Sequence, residues 1–146
     1  MKFLIKLKLL LLTSFLCVVS SAADIDRREI ECLTKNVYFE SRGEPVKGQL
    51  AVIFTTLNRT KHKSFPNDVC KVVYQKNQFS WVRNKPQVKD WETYRELKQL
   101  VQEVVDGKHP DVSKGALYFH ANTIRKPKDF GDVKCTARIG DHIFYK

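Results

Sequence analysis

The chain has 146 residues and a net charge of +10 at neutral pH, and 42% of its residues are hydrophobic. This length fits one domain rather than several. A basic balance of this size favours contact with polyanions, whether cell-wall polymers, acidic lipids or nucleic acids, and charge alone does not choose among them.

The first 23 residues have the order of a secretory signal peptide. Three lysines precede the apolar run from Leu9 to Val19, and residues 20–23 are small and uncharged. The apolar run is short for a membrane span. Two interpretations remain: cleavage near Ala22 or Ala23, or retention as an N-terminal membrane anchor. Both predict a domain of residues 24–146 that is exported to the periplasm, the cell wall or the medium.

Three cysteines remain beyond this segment. Export would permit one disulfide among Cys32, Cys70 and Cys135 and leave one thiol over, and their spacing resembles no zinc site. The spacing does not say which two would pair. About 120 residues can form a core without a disulfide, so a bridge is permitted but not required.

Apolar residues at helical spacing predict three main helices. The first is capped by Asp24 or Asp26 and runs through Glu40, and the second covers residues 46–59. A short helix or turn is expected at residues 69–75 and a loop or strand at 77–82. The third main helix begins after the N-cap Asp90 and ends at Gly107. Its predicted buried side consists of Trp91, Tyr94, Leu97, Val101, Val104 and Val105.

In two segments late in the chain, the hydrophobic pattern changes to a period of two residues. Residues 116–120 and 138–145 therefore predict strands, joined by a loop rich in proline and lysine. Helices followed by a small β element indicate an α+β domain.

Glu40 is the candidate for acid catalysis. It closes an apolar helix directly after Tyr38 and Phe39, where the chain turns at Gly43. A glutamate in a poorly hydrated pocket stays protonated near neutral pH and can hand its proton to a leaving oxygen. A solvated glutamate at a helix end has the same sequence context, so the residues alone leave both interpretations open.

An ordered set of short motifs resembles the spore cortex-lytic type of cell wall hydrolase. No single motif is specific, but their order and spacing hold from about Glu31 to the last residues of the chain. The motifs lie at residues 36–45, 48–52, 58–59, 65–67, 69–70, 72–75, 78–81, 115–120 and 139–145.

The resemblance implies a lysozyme-like fold, mainly helical with a small antiparallel β element, and cleavage of the bond between N-acetylmuramic acid and N-acetylglucosamine in peptidoglycan. The catalytic acid of this family falls on Glu40. Many relatives are lytic transglycosylases, which leave a 1,6-anhydro end and can use one carboxylate as acid and then base. A hydrolytic muramidase is the alternative. No cofactor, metal or protein partner is implied, and a monomer is expected.

Other residues are candidates for binding glycan. Arg42 would orient substrate or fix the turn through a salt bridge, and Glu44 is expected to be structural, as an ion-pair partner of Arg42 or a helix N-terminal acid. Four consecutive residues would form either a wall of the cleft or part of the ordinary core. Two further residues alternate along a predicted strand and would share the strand face that lines the cleft. These six are Gln78, Phe79, Ser80 and Trp81, and then Tyr118 and His120.

Two features leave the chemistry open. Relatives usually carry a tryptophan in the late loop, where this chain has Phe130 after a one-residue insertion. A second catalytic acid does not stand out, although four aspartates remain candidates: Asp90, Asp129, Asp132 and Asp141.

Two rival functions fit parts of the sequence. A zinc amidase or endopeptidase would use histidines, but these form no HExxH pair; they are His62, His109, His120 and His142. A non-catalytic wall-binding or antimicrobial protein would use a basic patch, and nothing in the sequence resembles a nucleic-acid-binding motif. The patch would consist of Lys61, His62, Lys63, Lys126 and Lys128.

Overall fold

The computed structural model describes residues 25–146. The predicted signal segment, residues 1–23, lies outside the described residues. From Ile25 onward, no helix combines the length and the hydropathy needed to span a bilayer.

Helix α1, Arg27–Ser41, begins with a complete capping box. The Asp26 carboxylate accepts a hydrogen bond from the Glu29 backbone N–H at 2.8 Å, and the Glu29 carboxylate accepts one from the Asp26 N–H at 3.2 Å. Asp26 is therefore the N-cap. The helix ends one residue beyond Glu40, as the sequence predicts.

Helix α2, Val46–Thr60, buries more residues than any other helix of the described chain. The predicted apolar face is present, but burial extends around much more of the helix than the pattern indicates. Thr55 and Thr56 are buried because their hydroxyls donate to backbone carbonyls one turn earlier, at 2.8 and 3.1 Å. A threonine whose hydroxyl is hydrogen-bonded in this way can lie in the core. The spacing of the apolar residues alone does not predict such buried threonines.

Two short helices follow, α3 at Val69–Val73 and α4 at Ser80–Asn84. The expected loop or strand at 77–82 is wrong from Ser80 onward, because tertiary contacts favour a helix there. Trp81 packs on Phe39 with ring centroids 4.9 Å apart, and its indole N–H donates to Asn36 Oδ1 at 3.0 Å.

A disulfide joins α1 to α3. Cys32 and Cys70 are bonded, with their Cα atoms 5.3 Å apart, and Cys135 is a free, exposed thiol. Of the three possible pairings, the structure selects this one.

Helix α5, Trp91–Val105, has the predicted N-cap, since Asp90 accepts from the Thr93 N–H at 3.0 Å. Gly107, at φ 76°, follows its end as predicted. The expectation that Trp91 is buried is wrong: it is 60% exposed, because at the first helical position its ring reaches only the edge of Tyr94. The predicted residues that are buried are Tyr94, Leu97, Val101 and Val104.

Residues 118–145 form a three-stranded antiparallel sheet with the order β1-β3-β2 within the described chain. Its strands are β1 at Tyr118–Ala121, β2 at Cys135–Ile139 and β3 at His142–Tyr145. The single strand expected over 138–145 is wrong, because a turn at Gly140, with φ 56°, divides it into a hairpin. The α+β class is confirmed, mainly helical with a small antiparallel sheet.

Candidate active site

A cavity of about 940 Å³ lies between the helices and the sheet. One wall comes from the ends of α1 and α2 and from the segment that leads into α4. The other comes from β1 and the loop that follows it. Residues from distant parts of the chain therefore meet in one cleft, among them Glu40, Arg59, Gln78, Tyr118 and Phe130.

Glu40 lies in this cavity, in the last turn of α1, and is partly buried. Burial raises the pKa of its carboxyl group to about 7, and the nearby positive charge of Arg59 opposes part of that rise. The side chain therefore holds a proton in a large fraction of molecules at neutral pH. This is the environment expected for an acid catalyst, and the catalytic role itself stays a prediction.

Arg59 is the residue that the sequence analysis missed. It lies in the last turn of α2, is only 4% exposed and lines the same cavity as Glu40. Its Nε donates to the Leu117 carbonyl at 2.6 Å. Burial lowers its pKa to about 10, so the guanidinium remains charged at neutral pH. The available signal was an arginine near the end of a helix whose middle, residues 50–57, is apolar apart from two threonines.

Five of the predicted glycan-binding residues line the cavity with Glu40. Gln78, Phe79 and Ser80 come from the segment before and at the start of α4, and Tyr118 and His120 come from β1. His120 was expected on the strand face opposite the core, yet its side chain is buried. Its Nδ1 lies 2.7 Å from the Ala121 carbonyl and its Nε2 lies 2.9 Å from the Tyr145 hydroxyl.

Trp81 and Arg42 lie outside the lining of this cavity. Trp81 instead holds α4 against α1 through its hydrogen bond to buried Asn36. Arg42 points the other way: its guanidinium lies 4.9 Å from the centroid of the Tyr38 ring and donates to the Tyr38 carbonyl. The structure thus supports a local structural contact for Arg42 rather than an orienting contact near Glu40.

Glu44 is structural, but through a contact that the sequence did not indicate. Its carboxylate accepts a hydrogen bond from the Asp141 N–H at 3.0 Å, and it lies 3.8 Å from His142 Nδ1. Within residues 25–146 it forms no ion pair with Arg42, so that alternative is wrong. Glu44 ties the turn after Glu40 to the β2–β3 hairpin.

Aromatic rings form part of the sheet-side wall. Tyr118 and Phe130 lie with their ring centroids 5.0 Å apart, and both line the cavity. Phe130 therefore lies in the cleft; that it takes the place of the tryptophan of the relatives stays a prediction. Apolar ring faces of this kind suit contact with the C–H faces of sugars.

Among the described residues, the carboxylates that line the cavity are those of Glu40 and Asp129. Asp129 is exposed, on the short 3-10 helix Lys128–Phe130. The other aspartates considered lie outside the lining, and Asp90 is occupied as the cap of α5. Residues 25–146 contain no group of three or more histidine, cysteine or acidic side chains that could hold a metal ion.

Comparisons with known proteins agree with this architecture. The family model described as Cell Wall Hydrolase matches residues 43–145, a range that begins three residues after Glu40. The spore cortex-lytic enzyme of Bacillus subtilis is 34% identical over 117 residues, which are 80% of this chain and 37% of that protein. The spore cortex-lytic enzyme of Bacillus cereus is 32% identical, and the match covers 82% of this chain and 45% of that protein. The chain thus spans less than half the length of these curated relatives.

Two solved structures cover most of their own length. The catalytic domain of the Bacillus cereus SleB protein matches with a TM-score of 0.71 and 33% identity, covering 83% of this chain and 91% of that one. The catalytic domain of the germination-specific lytic transglycosylase SleB from Bacillus anthracis matches with a TM-score of 0.69 and 32% identity, covering 83% and 96%. The expected lysozyme-like fold is confirmed. Sequence and structure agree that this chain belongs to the cell wall hydrolase family.

Proposed function

We propose that this chain degrades peptidoglycan by cleaving the glycosidic bond between N-acetylmuramic acid and N-acetylglucosamine. The observation that carries the proposal is Glu40, a partly buried carboxyl group with a pKa of about 7 in the wall of a large cleft. Family membership and the lytic transglycosylase named among the similar structures support the substrate class.

The first step needs a protonated Glu40. Its proton moves to the glycosidic oxygen as the bond to the muramic acid C1 breaks, and the sugar acquires oxocarbenium-ion character. The Glu40 carboxylate that results lies near the charge of Arg59, which favours the ionised form. Burial thus keeps Glu40 protonated near neutral pH, and the charge of Arg59 stabilises the Glu40 carboxylate that forms when the proton leaves.

The second step returns the proton. We propose that the Glu40 carboxylate removes the proton from the C6 hydroxyl of the same muramic acid as that oxygen attacks C1. The product is a 1,6-anhydro ring, and Glu40 is protonated again. Attack by water would give hydrolysis instead, with Asp129 as the carboxylate in the cleft that is available to assist it.

An extracytoplasmic location suits both substrate and chain. The first 23 residues have the order of a signal peptide, and a disulfide is typical of proteins that fold outside the reducing cytosol. We therefore propose that the chain acts after export, on the glycan strands of the wall.

Glu40→Gln tests the catalytic role. The substitution keeps the shape of the side chain and removes the acid, so we expect a folded protein whose release of soluble fragments from purified walls falls by at least about 100-fold. Asp129→Asn is the matched control for a single-carboxylate mechanism and should retain most of the activity. Strong activity in Glu40→Gln would sink the proposal, and strong loss in Asp129→Asn would favour hydrolysis.

Mass spectrometry of the digestion products separates the two reactions. We expect fragments that end in 1,6-anhydromuramic acid, which are lighter by one water than reducing ends. Reducing muramic acid ends would identify a hydrolytic muramidase, and reducing glucosamine ends would move the cut to the other glycosidic bond. A wall-binding protein without catalysis would bind walls and release neither.

A further inference from the structure

His142 is a residue of the cleft that the proposed reaction does not use. It is the first residue of β3, and it lines the same cavity as Glu40. The rings of Phe119 and Phe144 pack against its imidazole at steep angles, with centroids 5.1 and 6.2 Å away. The side chain is only 11% exposed. These contacts hold the imidazole in one orientation in the cavity wall.

The two nitrogens of this imidazole have different environments. Nδ1 is buried, has no hydrogen-bond partner among residues 25–146, and lies 3.8 Å from Oε1 of Glu44. Nε2 has no partner among these residues either, but it is not fully buried. His142 lines the cavity, whereas Glu44 lies outside the lining. Nδ1 therefore faces the protein interior, and the accessible Nε2 faces the cleft.

Glu44 determines which of the two nitrogens carries the proton. Burial lowers the pKa of His142, and the carboxylates of Glu44 and Asp141 oppose that change. His120 lowers it further, so the ring is neutral at neutral pH. A carboxylate only accepts hydrogen bonds, and it therefore favours the tautomer with the proton on Nδ1. Nε2 is then an acceptor that needs a donor from the cleft.

The distance of 3.8 Å from Nδ1 to Glu44 is longer than a hydrogen bond. Contacts of this kind are often long in the absence of substrate and shorten in the complex. The other oxygen of Glu44 is already fixed, since it accepts from the Asp141 N–H at 3.0 Å. Glu44 follows Glu40 by only four residues, so one buried carboxylate relates His142 to the end of α1 that carries the proposed acid.

We propose that His142 is a further glycan-binding residue, whose Nε2 accepts a hydrogen bond from a sugar hydroxyl or an acetamido N–H. Glu44 is a positioning residue that holds the imidazole in the tautomer this bond requires. The inference rests on the proposed function for its substrate. It involves no proton transfer, so the role of Glu40 as acid is unchanged.

Binding of soluble glycan strands, freed of their stem peptides, tests this role in a Glu40→Gln background without cleavage. His142→Gln keeps an acceptor close to the position of Nε2, so strand binding should stay within about twofold of the background protein. His142→Phe keeps the ring and removes the acceptor, so binding should weaken about fivefold. Equal strand binding by the two variants would overturn the proposal.

Glu44→Gln tests the positioning role. Its amide keeps an oxygen for the Asp141 N–H and places an NH₂ group opposite Nδ1, which favours the proton on Nε2. We expect strand binding to weaken about fivefold. Glu103→Gln is the matched control, because Glu103 lies 3.0 Å from His109 and both are outside the cavity lining. It should leave binding within about twofold. Unchanged binding in Glu44→Gln would overturn the positioning role.

A measurement on the unsubstituted histidine covers the case in which a variant does not fold. The ¹⁵N signals of His142, recorded in Glu40→Gln protein, should show the proton on Nδ1, and the Nε2 signal should shift when strands are added. The opposite tautomer, or an Nε2 signal that does not respond to strands, would overturn the proposal. A failed mechanism would be visible separately, as cleavage of the strands by Glu40→Gln.

Discussion

Glu40 experiences two opposing influences, and burial is the larger. Its carboxyl pKa lies at about 7 against an ordinary value of 4.5, and Arg59 keeps it from rising further. A carboxyl group in this state prefers to be protonated in the folded protein. The property that makes Glu40 an acid near neutral pH therefore also makes its ionisation destabilising.

The stability of the protein should show this directly. Because the folded-state pKa is raised, the contribution of Glu40 to stability is fully present below pH 4.5 and is lost as pH rises through 7. Glu40→Gln has no such loss. Its free energy of unfolding relative to the parent should therefore rise by about 3 kcal/mol between pH 4.5 and pH 8.

Urea denaturation of both proteins at the two pH values measures this difference. A constant gap between them would mean that the Glu40 carboxyl group titrates alike in the folded and unfolded chain. It would also remove the physical basis for its use as an acid at neutral pH.

The sequence identified residues through local context and missed those whose role depends on tertiary contacts. Glu40 could be found because its motif and its apolar helix are local. Arg59 could not, since its environment is made by Leu117, Phe65 and Phe79 from elsewhere in the chain. Trp81 was assigned to the cleft for the same reason, as its partner Asn36 lies 45 residues away.

At the scale of elements, periodicity predicted the long helices and failed where one turn or one contact decides. Helix α5 was predicted with its cap and its end. The β2–β3 hairpin was not, because a five-residue and a four-residue strand on the two sides of Gly140 resemble one longer strand. The turn at Gly140 divides the two strands, and the Glu44 carboxylate, 97 residues before Asp141 in the chain, accepts a hydrogen bond from that turn.

The hairpin turn should accept no side chain at Gly140. A Cβ atom there would lie 1.7 Å from Glu44 Oε2, and the backbone φ of 56° already disfavours other residues. Gly140→Ala should therefore lower the free energy of unfolding by about 3 kcal/mol, from backbone strain together with the lost Glu44–Asp141 hydrogen bond. Thermal or urea denaturation checks this.

Gly107→Ala is the matched control, because Gly107 has φ 76° and no atom within 4 Å of the added Cβ. It isolates the backbone strain, about 1 kcal/mol. Equal losses at both positions would contradict the close approach of Glu44 to the turn.

At the scale of the whole molecule, the disulfide closes a large loop. Cys32 and Cys70 are 38 residues apart, and this loop contains Glu40 and all of α2. Closing a loop of this size restricts the unfolded chain, which corresponds to about 4 kcal/mol in the chain-entropy model. The double variant Cys32→Ala/Cys70→Ala should lose a comparable share of its stability.

Chemical denaturation with and without reductant measures this contribution. Reductant should weaken the parent and leave the double variant unchanged, and Cys135→Ser should behave like the parent because Cys135 is unpaired. A parent that is insensitive to complete reduction would contradict a stabilising role for the bond.

The order of the strands has a consequence for biosynthesis. Strand β3 is the last of the three to leave the ribosome, yet it lies between the other two and is their shared hydrogen-bonding partner. The helices, rich in local contacts, can form during translation, whereas β1 and β2 must wait for His142–Tyr145. The sheet wall of the cleft is therefore assembled last. A nascent chain interrupted before β3 would have the helices and would lack the sheet wall of the cleft.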